Sequence, residues 1–261
     1  MRERLVGALL RLYERAVKAG LLERRWTRRA FESVYLTYKW LLEAGPTAKL
    51  GDLVEPGSTV IDVGANIGFF AVKFGRWAGQ GGRVIAIEPE ARNLDSLRRR
   101  VERAGLSGSV ECVQAVAAGQ PGELRLAVNP THPGDHQIAG EGEPVRAVTL
   151  DELTAGELRR VSLIKIDVQG AESLVLAGAR TVLEKDRPAL FVEVDDEGLR
   201  GFGSSAGELF ETLAGLGYGP HRLTRGGIEP VPDTEALLSQ ATGGSYTDVL
   251  FLSSEGRSAG R

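Results

Sequence analysis

Val60-Ile-Asp-Val-Gly-Ala-Asn-Ile-Gly68 decides the fold: a run of buried-strand residues passes straight into a glycine turn that opens a helix. Glycine at 64 and 68 lets backbone approach a ligand closely. The spacing is Gly-x-x-x-Gly, so the Gly-x-Gly-x-x-Gly pattern of dinucleotide binders is absent, and no Gly-Lys-Ser/Thr follows to make a P-loop. Asp62 stands two residues before the first glycine. A fixed carboxylate there repels a pyrophosphate at the helix N-terminus and suits a ligand bearing an ammonium.

Moving outward, strand-like apolar runs alternate with helical stretches. Strands are expected at Thr59–Val63, Arg83–Glu88, Val110–Val116, Val161–Val168 and Ala189–Val194. Helices are expected from the glycine turn to about Trp77, over Ala91–Ala104 and over Ala171–Leu183. This alternation predicts an α/β fold with a mostly parallel sheet covered by helices on both faces. A helix at Ser205–Leu216 and two shorter strands, Tyr218–Leu223 and Tyr246–Leu252, complete it, the last pair forming an antiparallel edge. Ala117–Val148 breaks the rhythm with a Pro/Gly-rich stretch flanked by strand-like pieces at Glu123–Val128 and Val145–Thr149. An excursion of that length between parallel strands belongs over their carboxyl ends, where open α/β sheets bind ligands.

Composition is that of a globular chain: 261 residues, 42% apolar, 26% charged and a net charge of −3. One cysteine, Cys112, rules out an internal disulfide and a cysteine-based zinc cluster and points to a reducing compartment. No apolar run approaches the length needed to span a bilayer, and residues 1–20 lack the pattern of a signal peptide. A cytoplasmic protein without an integral membrane segment is expected. Residues 1–40 carry ten Lys+Arg against four Asp+Glu, with Leu5, Leu9, Leu12, Ala16 and Ala19 at helical spacing. A second helix over Thr27–Ala44 is expected to stop at Gly45-Pro46. This basic extension either packs on the main domain with its arginines in water or meets an anionic surface. Its apolar face could also support a homodimer. The overall negative charge and the lack of aromatics interleaved with basic residues argue against a nucleic-acid partner. The expected organisation is therefore a helical extension over 1–50, a catalytic domain over 51–253 and a flexible tail over 254–261.

Two further acids sit where strands end. Glu88 lies 24 residues past Gly64 and can accept hydrogen bonds from both hydroxyls of a ribose. Together, Asp62 for a cationic tail and Glu88 for a ribose describe S-adenosylmethionine, with Gln114 and Ala115 beside the adenine. Asp167, in Lys165-Ile-Asp-Val-Gln-Gly-Ala-Glu172, should face the same crevice as Asp62, and Glu193 ends the neighbouring strand. Carboxylates so placed can hold a cationic ligand, act as a base, or bind a divalent ion, the last being the less favoured reading. Each can equally be a helix cap or a salt-bridge partner.

VIDVGANIGFFAVKFG, RVIAIEPEARNLDSLRRRV, AVTLDEL, LIKIDVQGAESLVLAGA and RPALFVEV occur in the order seen in the FkbM family of S-adenosylmethionine-dependent methyltransferases, which the chain resembles over Thr59–Val194. The resemblance implies the class I methyltransferase fold, a Rossmann-like, seven-stranded and mostly parallel sheet whose last strand, here Tyr246–Leu252, runs antiparallel. It also implies methyl transfer to an oxygen, commonly a hydroxyl of a sugar or a polyketide-type natural product. By position, Asp62, Gly64, Asn66, Gly68 and Glu88 match the family's cofactor motif, and Asp167, Glu172 and Glu193 match its later acidic motifs. Gln169 stands where the family more often has glutamate, which removes one ionic group from any metal-ligand set.

An alcohol is a poor nucleophile near neutral pH, so a base beside the acceptor is expected. The candidates are His136, His132, Asp167 and Glu193; a divalent ion at Asp167 and Glu193 is the alternative. The competing readings are a dinucleotide-dependent oxidoreductase, which lacks its glycines here, and an N-methyltransferase. The Asn/Asp-Pro-Pro-Tyr/Phe motif of many amino-group methylators is replaced by IDVQG.

Overall fold

Strand β1, Thr59–Val63, is buried along its whole length because helices cover it on both sides. It lies between β2, Arg83–Ile87, and β8, Val161–Ile166, parallel to both. The computed structural model describes residues 45–127, 137–138, 142–224, 226–242 and 246–254. The main sheet runs β11-β10-β12-β9-β8-β1-β2-β3, with β3 at Val110–Val113, β9 at Ala189–Val194, β10 at Tyr218–Leu223, β11 at Ile228–Pro230 and β12 at Thr247–Ser253. Chain order leaves β1 towards β2 and β3 on one side and resumes at β8 on the other. That reversal is a topological switch point, and it opens a crevice at the carboxyl ends of β1 and β8.

Alternation along each strand divides the core in two. Ile61, Val63, Ile85, Ile87, Ile164 and Ile166 face one side, packed by α4, Glu172–Ala177, α5, Arg180–Asp186, and α7, Ala206–Gly215. Val60, Val84, Ala86 and Leu163 face the other, under α1, Phe69–Ala78, and α2, Ala91–Arg103. Asp62 and Lys165 belong to this second face by the same alternation.

The structure departs from expectation in four places. The last pair, Tyr218–Leu223 and Tyr246–Leu252, is antiparallel as expected but is not the outermost part of the sheet. The second of the two, as β12, inserts antiparallel between β9 and β10, and the short β11 is added outside β10 as an eighth strand beyond the expected seven. The Ala117–Val148 excursion builds its own sheet, ordered β4-β7-β5-β6, from Val116–Ala117, Glu143–Val148, Gly122–Ala127 and Gln137–Ile138. The helix expected over Ala171–Leu183 is two helices. Gly178 caps the first, where a Cβ would lie 2.1 Å from the Ala118 carbonyl oxygen, and Asp151 accepts from the Thr181 and Val182 amides at the start of the second. Finally, residues 45–47, where a helix stop was expected at Gly45-Pro46, are themselves helical and lead into a 3-10 helix, Ala48–Leu53. Leu50 in that turn is fully buried against the α1 side of the core. The helices expected within residues 1–44, and the tail from 255 on, lie outside the described residues. No helix among the described residues is long and apolar enough to cross a membrane.

Candidate active site

The turn after β1 is built from left-handed backbone: φ is +73° at Gly64, +49° at Asn66 and +88° at Gly68. Its amides are held by the neighbouring strand end, with Gly64 N and Ala65 N donating to Ile87 O at 3.0 and 2.9 Å. The two glycines meet the chain itself. A Cβ on Gly64 would lie 1.8 Å from the Asp167 carbonyl oxygen, and one on Gly68 would lie 2.7 Å from Leu97 Cδ1. Close backbone approach at these positions is therefore to the β8 turn and to α2.

Glu88 follows β2 and is 4% exposed. Its Oε2 accepts from Asn66 N at 2.8 Å, and its Oε1 accepts from Glu90 N at 3.1 Å and Asn93 Nδ2 at 3.4 Å. Burial raises its pKa to about 7; the three donors act against the rise, and Glu90 adds to it. A carboxylate offers about four lone-pair positions. Three are taken, which leaves room at Oε2 for one hydroxyl, and a second must displace the long Asn93 contact.

Lys165, which the sequence placed in a strand without a role, is the centre of the β1–β8 junction. It is paired in register with Asp62 and is 4% exposed. Its Nζ lies 3.5 Å from Asp62 Oδ1 and 3.1 Å from Asp167 Oδ2, donates to Gly64 O at 3.0 Å, and sits 5.5 Å from the Phe70 ring centroid. Asp62 is fully buried, and its carboxylate lies beside this internal ammonium. The Asp167 side chain keeps 25% of its exposure and is the carboxylate of this cluster that meets solvent. The signal was in the sequence: a lysine inside an apolar strand must find carboxylates or lose its charge.

The β8 turn is closed by Glu172, which is 1% exposed. Its Oε1 accepts from Gly170 N at 3.0 Å and Val168 N at 3.4 Å. Burial raises its pKa to about 7, and the nearby Asp167 charge contributes to the rise. Gln169 takes a left-handed conformation, φ +57°, and Gly170 packs on Gly198, where a Cβ would fall 2.3 Å from backbone. Glu193 is half-buried on the Lys165 face of β9, opposite Asp248 of β12. Gln114 is exposed just beyond β3, whereas Ala115 is fully buried in the core. The structure thus brings Asp62, Gly64, Asn66, Gly68, Glu88 and Asp167 together at the switch point, with Glu193 along the same edge. His132 and His136 lie outside the described residues. Among the described residues no cluster of three or more His, Cys, Asp or Glu is placed to hold a metal ion.

A family profile described as the methyltransferase FkbM domain matches residues 62–220. The chain belongs to the FkbM methyltransferase family. The FkbM match opens on Asp62 and takes in every described candidate side chain named above. The sheet, with its switch point between β1 and β8 and antiparallel β12, has the class I methyltransferase arrangement. The hexuronic acid methyltransferase AglP of Haloferax volcanii is 29% identical over 133 residues, 50% of this chain and 53% of that protein. Methyltransferase 1 of Beauveria bassiana is 28% identical over 146 residues, 46% of this chain and 58% of that protein. The chain spans about half the length of the curated relatives it matches. Among solved structures, an FkbM methyltransferase from Methylobacillus flagellatus KT is 16% identical with a TM-score of 0.47, covering 85% of this chain and 54% of that one. An O-methyltransferase from Bacillus cereus, in complex with SAH, is 16% identical with a TM-score of 0.45, covering 81% of each chain.

Proposed function

We propose that this FkbM protein is an S-adenosylmethionine-dependent O-methyltransferase acting on a hydroxyl of a small molecule, a sugar or a polyketide-type natural product. The observation that carries the reading is the pair of strand-end acids flanking the glycine turn: Glu88, bonded to the turn through Asn66 N, and Asp167, packed on it through Gly64. When bound, S-adenosylmethionine supplies an electrophilic methyl group.

The residues fit that donor. Glu88 retains acceptor capacity at Oε2 for a ribose hydroxyl, and ionised it prefers such a donor to any anion. Asp167, the carboxylate of the Asp62–Lys165–Asp167 junction that meets solvent, suits the ammonium of the donor's amino-acid end and repels a pyrophosphate. That charge speaks against a dinucleotide. Gln114, exposed beyond β3, is the proposed contact for the adenine edge. Asp167, Glu193 and His136 are the candidates to take the acceptor's proton. The sugar end of the acceptor range draws support from the hexuronic acid named for the Haloferax relative.

The deciding experiment incubates the protein with methyl-labelled S-adenosylmethionine and a panel of uronic acids, neutral sugars, amino sugars and polyketide alcohols, read by mass spectrometry. Label recovered as a methyl ether supports the proposal. Transfer to an amine in the same panel, or no binding of the donor, overturns it.

A further inference from the structure

Lys165 is an ammonium in a cage of oxygen atoms: Asp62 Oδ1 at 3.5 Å, Asp167 Oδ2 at 3.1 Å, Gly64 O at 3.0 Å and Val63 O at 3.5 Å, beside the Phe70 ring. That is the environment a protein builds to bind a ligand's ammonium, and here the chain fills it with its own side chain. Asp62 is fully buried and Lys165 nearly so, whereas the Asp167 side chain is one-quarter exposed. A ligand approaching from solvent therefore meets this cluster at Asp167.

We infer that Lys165 is a positioning residue: it occupies the Asp62–Gly64 cage and fixes Asp167 as the carboxylate presented to the amino-acid end of the methyl donor. The inference rests on the donor-site reading above. It divides the two aspartates by role. Asp62 is the counter-ion that keeps Lys165 charged in the core, and Asp167 is the contact. Lys165 also ties the two turns together, since it bonds the Gly64 carbonyl of one and the carboxylate of the other, while Asp167 N donates to Val63 O at 3.2 Å. Rotation of Asp167 away from the crevice requires breaking its ion pair in a site largely shielded from water.

Two ligands separate positioning from general damage. S-adenosylhomocysteine carries the amino-acid end, and 5′-methylthioadenosine lacks it while keeping the adenosine. Lys165→Met alone strands Asp62 as a buried, unmatched charge, so the informative comparison is Asp62→Asn against the charge-matched double variant Asp62→Asn/Lys165→Met. Calorimetry is run on both, beside the wild type, with thermal melts to confirm folding. Asp62→Asn, which keeps Lys165 paired with Asp167, sets the reference affinity for S-adenosylhomocysteine. The double variant should bind it roughly tenfold or more weakly, the weight of one charge-assisted hydrogen bond, with 5′-methylthioadenosine unchanged between the two variants. Equal loss of both ligands, or no loss of either, overturns the inference and leaves the donor site standing. A wild-type protein that binds neither ligand overturns the donor-site reading and this inference together.

Discussion

The α-carbon of Gly64 faces the carbonyl oxygen of Asp167 so closely that a Cβ would lie 1.8 Å from it. Two turns that follow different strands are thus locked backbone to backbone at the switch point, and Gly64 holds φ +73° to allow it. Gly64→Ala combines a left-handed penalty of about 1–2 kcal/mol with a collision against backbone that cannot rotate away. Gly81 isolates the first cost, because it has φ +80° and nothing within 4 Å of its Cβ position. Urea unfolding should place Gly81→Ala about 1–2 kcal/mol below wild type and Gly64→Ala beyond about 4 kcal/mol, in the diagnostic tail of single substitutions. Equal losses in the two variants would show that the turns separate easily.

Glu88 couples stability and donor binding to pH in opposite directions. Burial raises its pKa from 4.5 to about 7, so the folded state holds a proton that the unfolded state releases. A raised carboxyl stabilises most fully below the unfolded value and loses that contribution as pH climbs through about 7. For a group this buried the difference amounts to roughly 3 kcal/mol at 1.36 kcal/mol per unit. Glu172, raised to about 7 by the same cause, adds to the fall. Donor affinity should move the other way, rising towards pH 8 as Glu88 ionises and accepts a ribose hydroxyl. Urea melts and calorimetry at pH 5, 6, 7 and 8 test both trends. Glu88→Gln should flatten part of the stability slope and abolish the rise in affinity; a variant with both slopes intact removes Glu88 from the account.

The parallel strands and the glycine turn were legible because their signals are local: apolar runs of five or six residues and glycines at fixed offsets. Acids at strand ends could be placed by counting, which is why Glu88 and Asp167 were found. Lys165 was passed over because its partners come from β1 and from beyond its own strand, and no periodicity announces a register pair. The strands at Gly122–Ala127 and Glu143–Val148 are legible as pieces, but their pairing into a sheet, the break at Gly178 and the edge strand β11 are not, for the same reason. Each exists because of an approach between segments distant in sequence, Gly178 with Ala118 being the clearest. Asp62 is legible as a strand-end acid, whereas the ammonium beside it is not.

Proton removal from the acceptor can be assigned by separating kcat from donor affinity. His136→Ala should lower kcat by about 10²–10⁴-fold, the range for a lost general base, with S-adenosylhomocysteine affinity unaltered. Asp167→Asn should lower both, because in the proposed site the same carboxylate meets the donor's ammonium. Turnover at the wild-type level in His136→Ala removes the histidine and leaves Asp167 and Glu193. A chelator should not alter kcat, since Asp167 is already paired with an ammonium at 3.1 Å that a divalent ion would have to displace. Activity abolished by chelation and restored by Mg²⁺ would reverse that expectation.

Asp62 and Lys165 should behave in stability as one unit. Lys165→Met leaves a fully buried carboxylate without its ammonium and is expected to cost about 3–5 kcal/mol, the penalty of breaking a buried pair. Asp62→Asn costs less, because Lys165 keeps Asp167 and the Gly64 carbonyl. Replacing both together restores charge balance in an apolar setting beneath Phe70, and exchanges of this kind are often neutral. The double variant should therefore be more stable than Lys165→Met alone, an interaction of about 2 kcal/mol or more within the range found for residues in contact. Urea melts of the four proteins close the cycle. Additive losses would mean that the 3.5 Å contact between Lys165 and Asp62 carries no coupling and that the buried lysine depends on Asp167 alone.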